Sequence, residues 1–101
     1  MIIATETYPA LSYYLRCYLN QDFEEIFGSV DKALDAYRKT ETINEQNEMI
    51  KEIRSLLESS YSEKELQKII LDDIDCNYFY PNEWSSCRNW LLNMLLKLKN
   101  S

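Results

Sequence analysis

Apolar positions recur with a helical period from near the start of this chain to near its end. After Pro9 they fall at Leu11, Tyr14, Leu15, Tyr18 and Leu19, the stripe of an amphipathic helix. Pro9 suits the first turn of that helix, where its missing N–H leaves nothing unsatisfied. Asn20-Gln21-Asp22 interrupts the stripe, and Phe23 to Phe27 reads as a short turn or a continuation. Gly28 then stops the run, because a residue without a Cβ enters the left-handed region freely. Ser29 is a natural N-cap for a second helix with Val30, Ala33, Leu34 and Tyr37 on one face. Thr42-Ile43-Asn44-Glu45 has the form of a capping box and opens a third helix, with Met49, Ile50, Ile53, Leu56 and Leu57 turned inward. Ser62-Glu63-Lys64-Glu65 repeats the device ahead of Leu66, Ile69 and Ile70. The stretch from Asp72 to Trp84 shows no clean period and reads as an ordered, aromatic-rich loop. Ser85 is expected to cap the last helix, whose inner stripe is Cys87, Trp90, Leu91, Met94, Leu95 and Leu98. Lys97 and Lys99 suit the negative pole at its end. Five helical segments with short polar connections predict an all-α, orthogonal or bundle-like fold, one compact domain over residues 1–101.

Composition narrows the chemistry more than the fold. The 101 residues include one Gly, two Pro and no His. So few turn residues argue against β-sandwiches and barrels, and a lone glycine cannot build a phosphate-cradling loop. Without histidine there is no Ser-His-Asp or Cys-His nucleophile and no His-ligated zinc. The net charge of −6 disfavours a nucleic-acid backbone as partner and suits a basic protein surface. The excess lies mostly in residues 1–60, where eleven acids face six cations, against six and five in residues 61–101. No segment is apolar for long enough to span a membrane, the start lacks the basic and apolar regions of a signal peptide, and a cytoplasmic location is expected.

Carboxylates are the plentiful reactive groups. Asp72, Asp73 and Asp75 lack the glycine and closing glutamate of a calcium loop, and nothing marks Glu24, Glu25, Asp31 or Asp35 for a raised pKa. A solvated acidic face is the simpler reading, and neither enzyme activity nor a metal or other cofactor is expected. Cys17, Cys76 and Cys87 form no CxxC pair. Cys17 and Cys87 sit near expected inner faces and read as small buried hydrophobes, while Cys76 lies among acids that raise a thiol's pKa. Tyr8, Tyr14, Tyr18 and Tyr37 follow the helical stripes and read as core. Tyr78-Phe79-Tyr80 with Trp84 does not, and two readings stay open: anchors of an interaction surface, or a lid folded over the core.

Several short motifs, taken in order, resemble one family. Tyr8-Pro9-Ala10-Leu11, the run Tyr18-Leu19-Asn20-Gln21-Asp22-Phe23 and Phe27-Gly28-Ser29-Val30 are similar to the opening of the small helical immunity proteins of bacterial contact-dependent growth inhibition. Cys76-Asn77-Tyr78, Pro81 and Arg88-Asn89-Trp90-Leu91 resemble their close. The likeness spans about Tyr8 to Leu91. Departures are Asn20 where the family has His, Ile74-Asp75 where it has Leu-Gly, and no Gly after Pro81. The resemblance implies a non-enzymatic inhibitor that binds the C-terminal toxin domain delivered by sister cells, commonly a nuclease, and blocks its active site or substrate access. A −6 chain meeting a basic toxin surface fits that role. The expected toxin contacts are Asp72, Asp73, Asp75, Tyr78, Tyr80 and Glu83, chosen because they cluster outside the core periodicity. A helical adaptor or regulatory subunit for another cytoplasmic protein is the alternative. An enzyme built on paired carboxylates and a divalent metal is a third.

Overall fold

A computed structural model describes residues 4–99. The five expected segments are all present: α2 (Pro9–Cys17), α4 (Val30–Thr40), α5 (Ile43–Glu58), α6 (Glu63–Gln67) and α7 (Cys87–Lys99). Two short helices join them, α1 (Ala4–Thr7) ahead of Pro9 and α3 (Phe23–Phe27). No strand occurs among the described residues. The radius of gyration, 12.6 Å, is that of a compact chain of this length.

The longest helix, α5, is the axis of the packing. It lies against α2 on one side and α7 on another, while α3 packs on α4 and α6 on α7. Met49, Ile53 and Leu56 of α5 meet a core that also takes Leu11, Tyr14 and Leu15 from α2 and Trp90, Leu91 and Met94 from α7. Tyr37 of α4 enters beside them, edge-on to Tyr14 at 5.1 Å and to Tyr18 at 5.4 Å between ring centres. Phe27 stacks on Tyr18 at 5.7 Å. Such pairs add about 0.5–1.5 kcal/mol each beyond the area they bury, so the tyrosine stripes read from the sequence form an aromatic seam between α2 and α4.

Most helix starts follow local chemistry. Ser29, Thr42 and Ser62 each accept a hydrogen bond from the N–H three residues on, and at Ser62 the Glu65 carboxylate answers as a complete capping box. Gly28 ends α3 at φ +97°, where a side chain is strained. The last helix differs from expectation: Ser86, not Ser85, accepts from the N–H of Asn89, at 3.0 Å. Ser85 instead accepts from the Asn89 side chain at 2.6 Å. One residue's shift lets Cys87 begin the helix with its side chain in the core.

Side chains from other elements close three further helix ends and reinforce the start of α7. Tyr8 offers α2 no side-chain cap, and Glu52 of α5 supplies it, accepting from the N–H groups of Ala10 (3.1 Å) and Leu11 (2.9 Å). The buried amide of Gln46 donates to the carbonyls of Arg38 and Glu41, both at 3.0 Å, and so closes α4. The Arg88 guanidinium donates to the carbonyls of Leu57 (2.7 Å), Ser59 (3.1 Å) and Tyr61 (2.7 Å), sealing the exit of α5. Glu63 of α6 accepts from the N–H groups of Cys87 (2.8 Å) and Arg88 (3.4 Å) at the start of α7. Each cap places its charge at the favourable pole of the helix it closes, Gln46 excepted, which is neutral.

Arg88→Met keeps the apolar stem but leaves three carbonyls without their donor. It is expected to lower the unfolding free energy by about 2–4 kcal/mol in urea titration. Arg88→Lys should recover less than half of that, since an ammonium cannot span three acceptors in the plane a guanidinium fits.

Candidate protein-docking site

The segment between α6 and α7 decides what the chain presents to a partner. Helical structure continues past α6 into a widened π turn, Lys68–Asp73, in which the N–H of Ile74 reaches the Ile69 carbonyl at 2.9 Å. The extra residue per turn lets Ile69, Ile70 and Ile74 all reach the core. From there the backbone runs without a partner strand, yet burial alternates: Ile74, Cys76, Tyr78 and Tyr80 point in, while Asp75, Asn77 and Phe79 point out. Asp75 takes φ +67°, a conformation that Asp tolerates better than most residues. The segment is therefore the lid of the two readings. Tyr78 is edge-on to Trp90 (5.3 Å) and Phe23 (5.8 Å), and Tyr80 stacks on Trp90 (5.4 Å).

That geometry separates the six expected contact residues. Asp72, Asp73, Asp75 and Glu83 are exposed. Tyr78 and Tyr80 are 6% and 2% exposed, so neither ring is offered to a partner. Burial raises the pKa of both hydroxyls, and the Glu83 carboxylate, accepting from the Tyr78 hydroxyl at 2.9 Å, raises that of Tyr78 further. The outward ring of the triplet is Phe79, 50% exposed. Asp73 is paired with Lys68 at 2.8 Å. Two-residue alternation from Ile74 to Tyr80 is the signal that separates inward from outward positions here.

Past Pro81 a short 3₁₀ turn, Tyr80–Asn82, brings the N–H groups of Glu83 and Trp84 onto the Tyr80 carbonyl at 3.0 and 2.8 Å. This sets Trp84, half-buried, at the head of a groove along the outer side of α7. It is shallow and open to solvent, about 530 Å³, and is lined by Trp84, Leu92 and Leu96 together with Glu83, Asn89 and Asn93. Leu92 and Leu96, one turn apart, are 45% and 51% exposed although the inner stripe of α7 is complete without them. Two smaller depressions, of 150 and 170 Å³, continue from Glu83 to the start of α4, where they add Val30, Asp31 and Glu24. Asp31 accepts from Lys97 of α7 and ties the two helices together there. Trp84 belongs to the aromatic stretch that the sequence offers as possible anchors, while Leu92 and Leu96 are not among the expected contacts. Both leucines fall off the inner stripe of α7 and are legible as outward apolar positions.

Among the described residues no group of three His, Cys, Asp or Glu side chains is placed to hold a metal, and no helix is long and apolar enough to cross a membrane. Cys87 and Cys76 are buried, but Cys17 is exposed at the end of α2. It shares the outer face of α2 with Tyr13 and Arg16, while Tyr14, Leu15, Tyr18 and Leu19 turn inward, which corrects the expectation of a buried Cys17.

The sequence model of the CdiI immunity protein family matches residues 7–98. The chain belongs to this family. A solved structure extends the likeness: a chain from the "Crystal structure of CdiA-CT/CdiI complex from Y. kristensenii 33638" is 50% identical, with a TM-score of 0.93 over 97% of this chain and 99% of that one. No curated protein matches. For a CdiI family member, the features to explain are surface features: the exposed acids, the groove beside α7, and thiols that are mostly shielded.

Burial pushes the thiols of Cys76 and Cys87 up to about 12, against opposing hydrogen bonds. In the native protein one thiol, Cys17, should therefore react with a disulfide reagent at pH 8, and all three in denaturant. The unfolded thiols release protons near pH 9 while the folded ones hold them to about 12. The folded state then binds more protons in that window, and the urea midpoint should fall steadily from pH 9 to 12.

Proposed function

We propose that this chain binds the C-terminal toxin domain of a contact-dependent growth inhibition exoprotein and neutralises it inside the cell that makes both. The observation that carries this reading is the match of nearly the whole chain to the CdiI immunity protein family. It is supported by the likeness to a chain from a crystal of a CdiA-CT/CdiI complex. The protein acts by occupying surface rather than by chemistry of its own. Its target is a toxin that works on nucleic acid, and neutralisation consists of covering the active site or the path by which substrate reaches it. A toxin surface that attracts phosphates is basic, and a chain of net charge −6 is drawn to the same surface.

The exposed carboxylates on the π turn and lid, Asp72, Asp73 and Asp75, together with Glu83, serve in this reading as the charges that speed encounter. Tyr78 and Tyr80 contribute from below, by holding the lid against Trp90 and Phe23.

Growth of cells making the toxin domain encoded beside this gene, with and without this chain, tests the function. Survival and a stable complex with the purified toxin domain are expected, together with loss of the toxin's nuclease activity in the complex. Unimpeded killing, or a complex that leaves nuclease activity intact, contradicts the reading. Reversal of Asp72 and Asp73 to Lys should slow association about tenfold at low salt and flatten its salt dependence. An unchanged rate removes these two acids from the encounter.

A further inference from the structure

We propose that the groove formed by Trp84, Leu92 and Leu96 is the seat of the toxin domain, taking an apolar projection of the toxin whose flanks carry Lys or Arg. This rests on the toxin-binding function proposed above and names the surface that performs it.

Leu92 and Leu96 are the starting point. The core uses the opposite side of α7, from Cys87 and Trp90 to Leu98, so nothing inside the chain requires leucine at these two outward positions. Trp84 stands at the head of the same groove, fixed by its backbone bond to Tyr80. A tryptophan and two leucines in a depression rimmed by asparagines have the composition of an interface core with a polar edge. The lid's inward rings, Tyr78 and Tyr80, are spent on Trp90. Of the exposed apolar side chains, Leu92 and Leu96 are the pair that shares one depression with a tryptophan, whereas Ile26, Ile43 and Phe79 line neither this groove and its continuations nor the depression over α2.

Charge selects the occupant. Glu83 lines the main groove and both continuations, and Glu24 and Asp31 join it along the path to α4. No Lys or Arg lines any of the three. Lys97 neutralises Asp31 from one side, while Glu24 and Glu83 have no cationic partner among the described residues. Another depression, over α2, reverses this pattern: Arg16 lines it and no acid does. A basic protein is therefore drawn to the α7 side, where partner cations meet carboxylates around an apolar centre. A second copy of this chain is disfavoured there, since it brings a net charge of −6 to an acidic rim.

Two tryptophans make the test direct. In the wild-type chain labelled with ¹⁵N at the indoles, unlabelled toxin domain should shift the Trp84 signal and leave that of Trp90, buried in the core, in place. In parallel, Leu92→Asp with Leu96→Asp should weaken toxin binding about 30-fold or more, the scale of a lost interface anchor, at unchanged helix content. Ile43→Asp, at a still more exposed apolar site at the start of α5, should bind as wild type. A toxin complex that leaves the Trp84 signal unmoved overturns the proposal. So does wild-type affinity in the double variant, or pairing of the chain with itself through this groove. The indole measurement needs no variant to fold. If the wild-type chain binds no toxin domain at all, the function proposed above fails rather than the choice of surface.

Discussion

Backbone groups at helix ends must find hydrogen-bond partners once packing removes them from water, and this chain has almost no glycine with which to turn its helices off locally. The structure depends on the substitute. Arg88 takes three carbonyls at the exit of α5, and Glu63 takes two N–H groups at the entrance of α7. Glu52 and Gln46, both on α5, close α2 and α4. Each of these bonds satisfies an orphan group and at the same time fixes how two elements sit together. Glu52 illustrates the balance: burial raises its pKa, and the two N–H groups it accepts from work in the opposite direction.

The same arrangement explains why the outer side of α7 is available. With its start held by Glu63 and its first turn by the reach of Arg88, α7 is oriented so that Trp90, Leu91 and Met94 face α5. Tyr78 and Tyr80 then cover Trp90 from outside, and the lid consumes the aromatic residues that a sequence reading assigns to a partner. Trp84, Leu92 and Leu96 stay together at the surface beside the Glu83 carboxylate. In the proposed complex, binding energy and encounter rate come from different residues: buried apolar contact at the groove, and long-range attraction from the acids spread over the lid and α4.

Much of this was legible in the chain. Helical periodicity located all five principal helices, and Ser29, Thr42 and Ser62 capped where their spacing said they should, because these signals act within four residues. Gly28 marked a real stop for the same reason. The resemblance in the Tyr8 to Leu91 motifs led to the family to which the chain belongs. Long-range chemistry was not legible. Nothing local indicates that Glu52 serves α2 or that Arg88 serves α5, since these bonds exist only once the helices pack. Which of the two readings of the Tyr78 to Trp84 stretch holds was not legible for a different reason: alternation at Ile74, Cys76, Tyr78 and Tyr80 has the period of a strand, but no second strand is present among the described residues to make it one. Cys17 follows the outer face of α2 with Tyr13 and Arg16, off the stripe of Leu11, Tyr14, Leu15, Tyr18 and Leu19, and that spacing outweighs the tendency of a free cysteine to be buried.

Native-state hydrogen exchange on the free protein tests the central claim, that side chains from neighbouring elements close these helix ends as firmly as the core itself. Amides of Leu11 and Cys87 lie in first turns, where a helix supplies no acceptor and exchange is ordinarily fast. With Glu52 and Glu63 as acceptors, both should exchange within about tenfold of core amides such as those of Ile53 and Leu56, at the rate set by global unfolding. Exchange of Leu11 and Cys87 near the unprotected rate, with the core still protected, would contradict it.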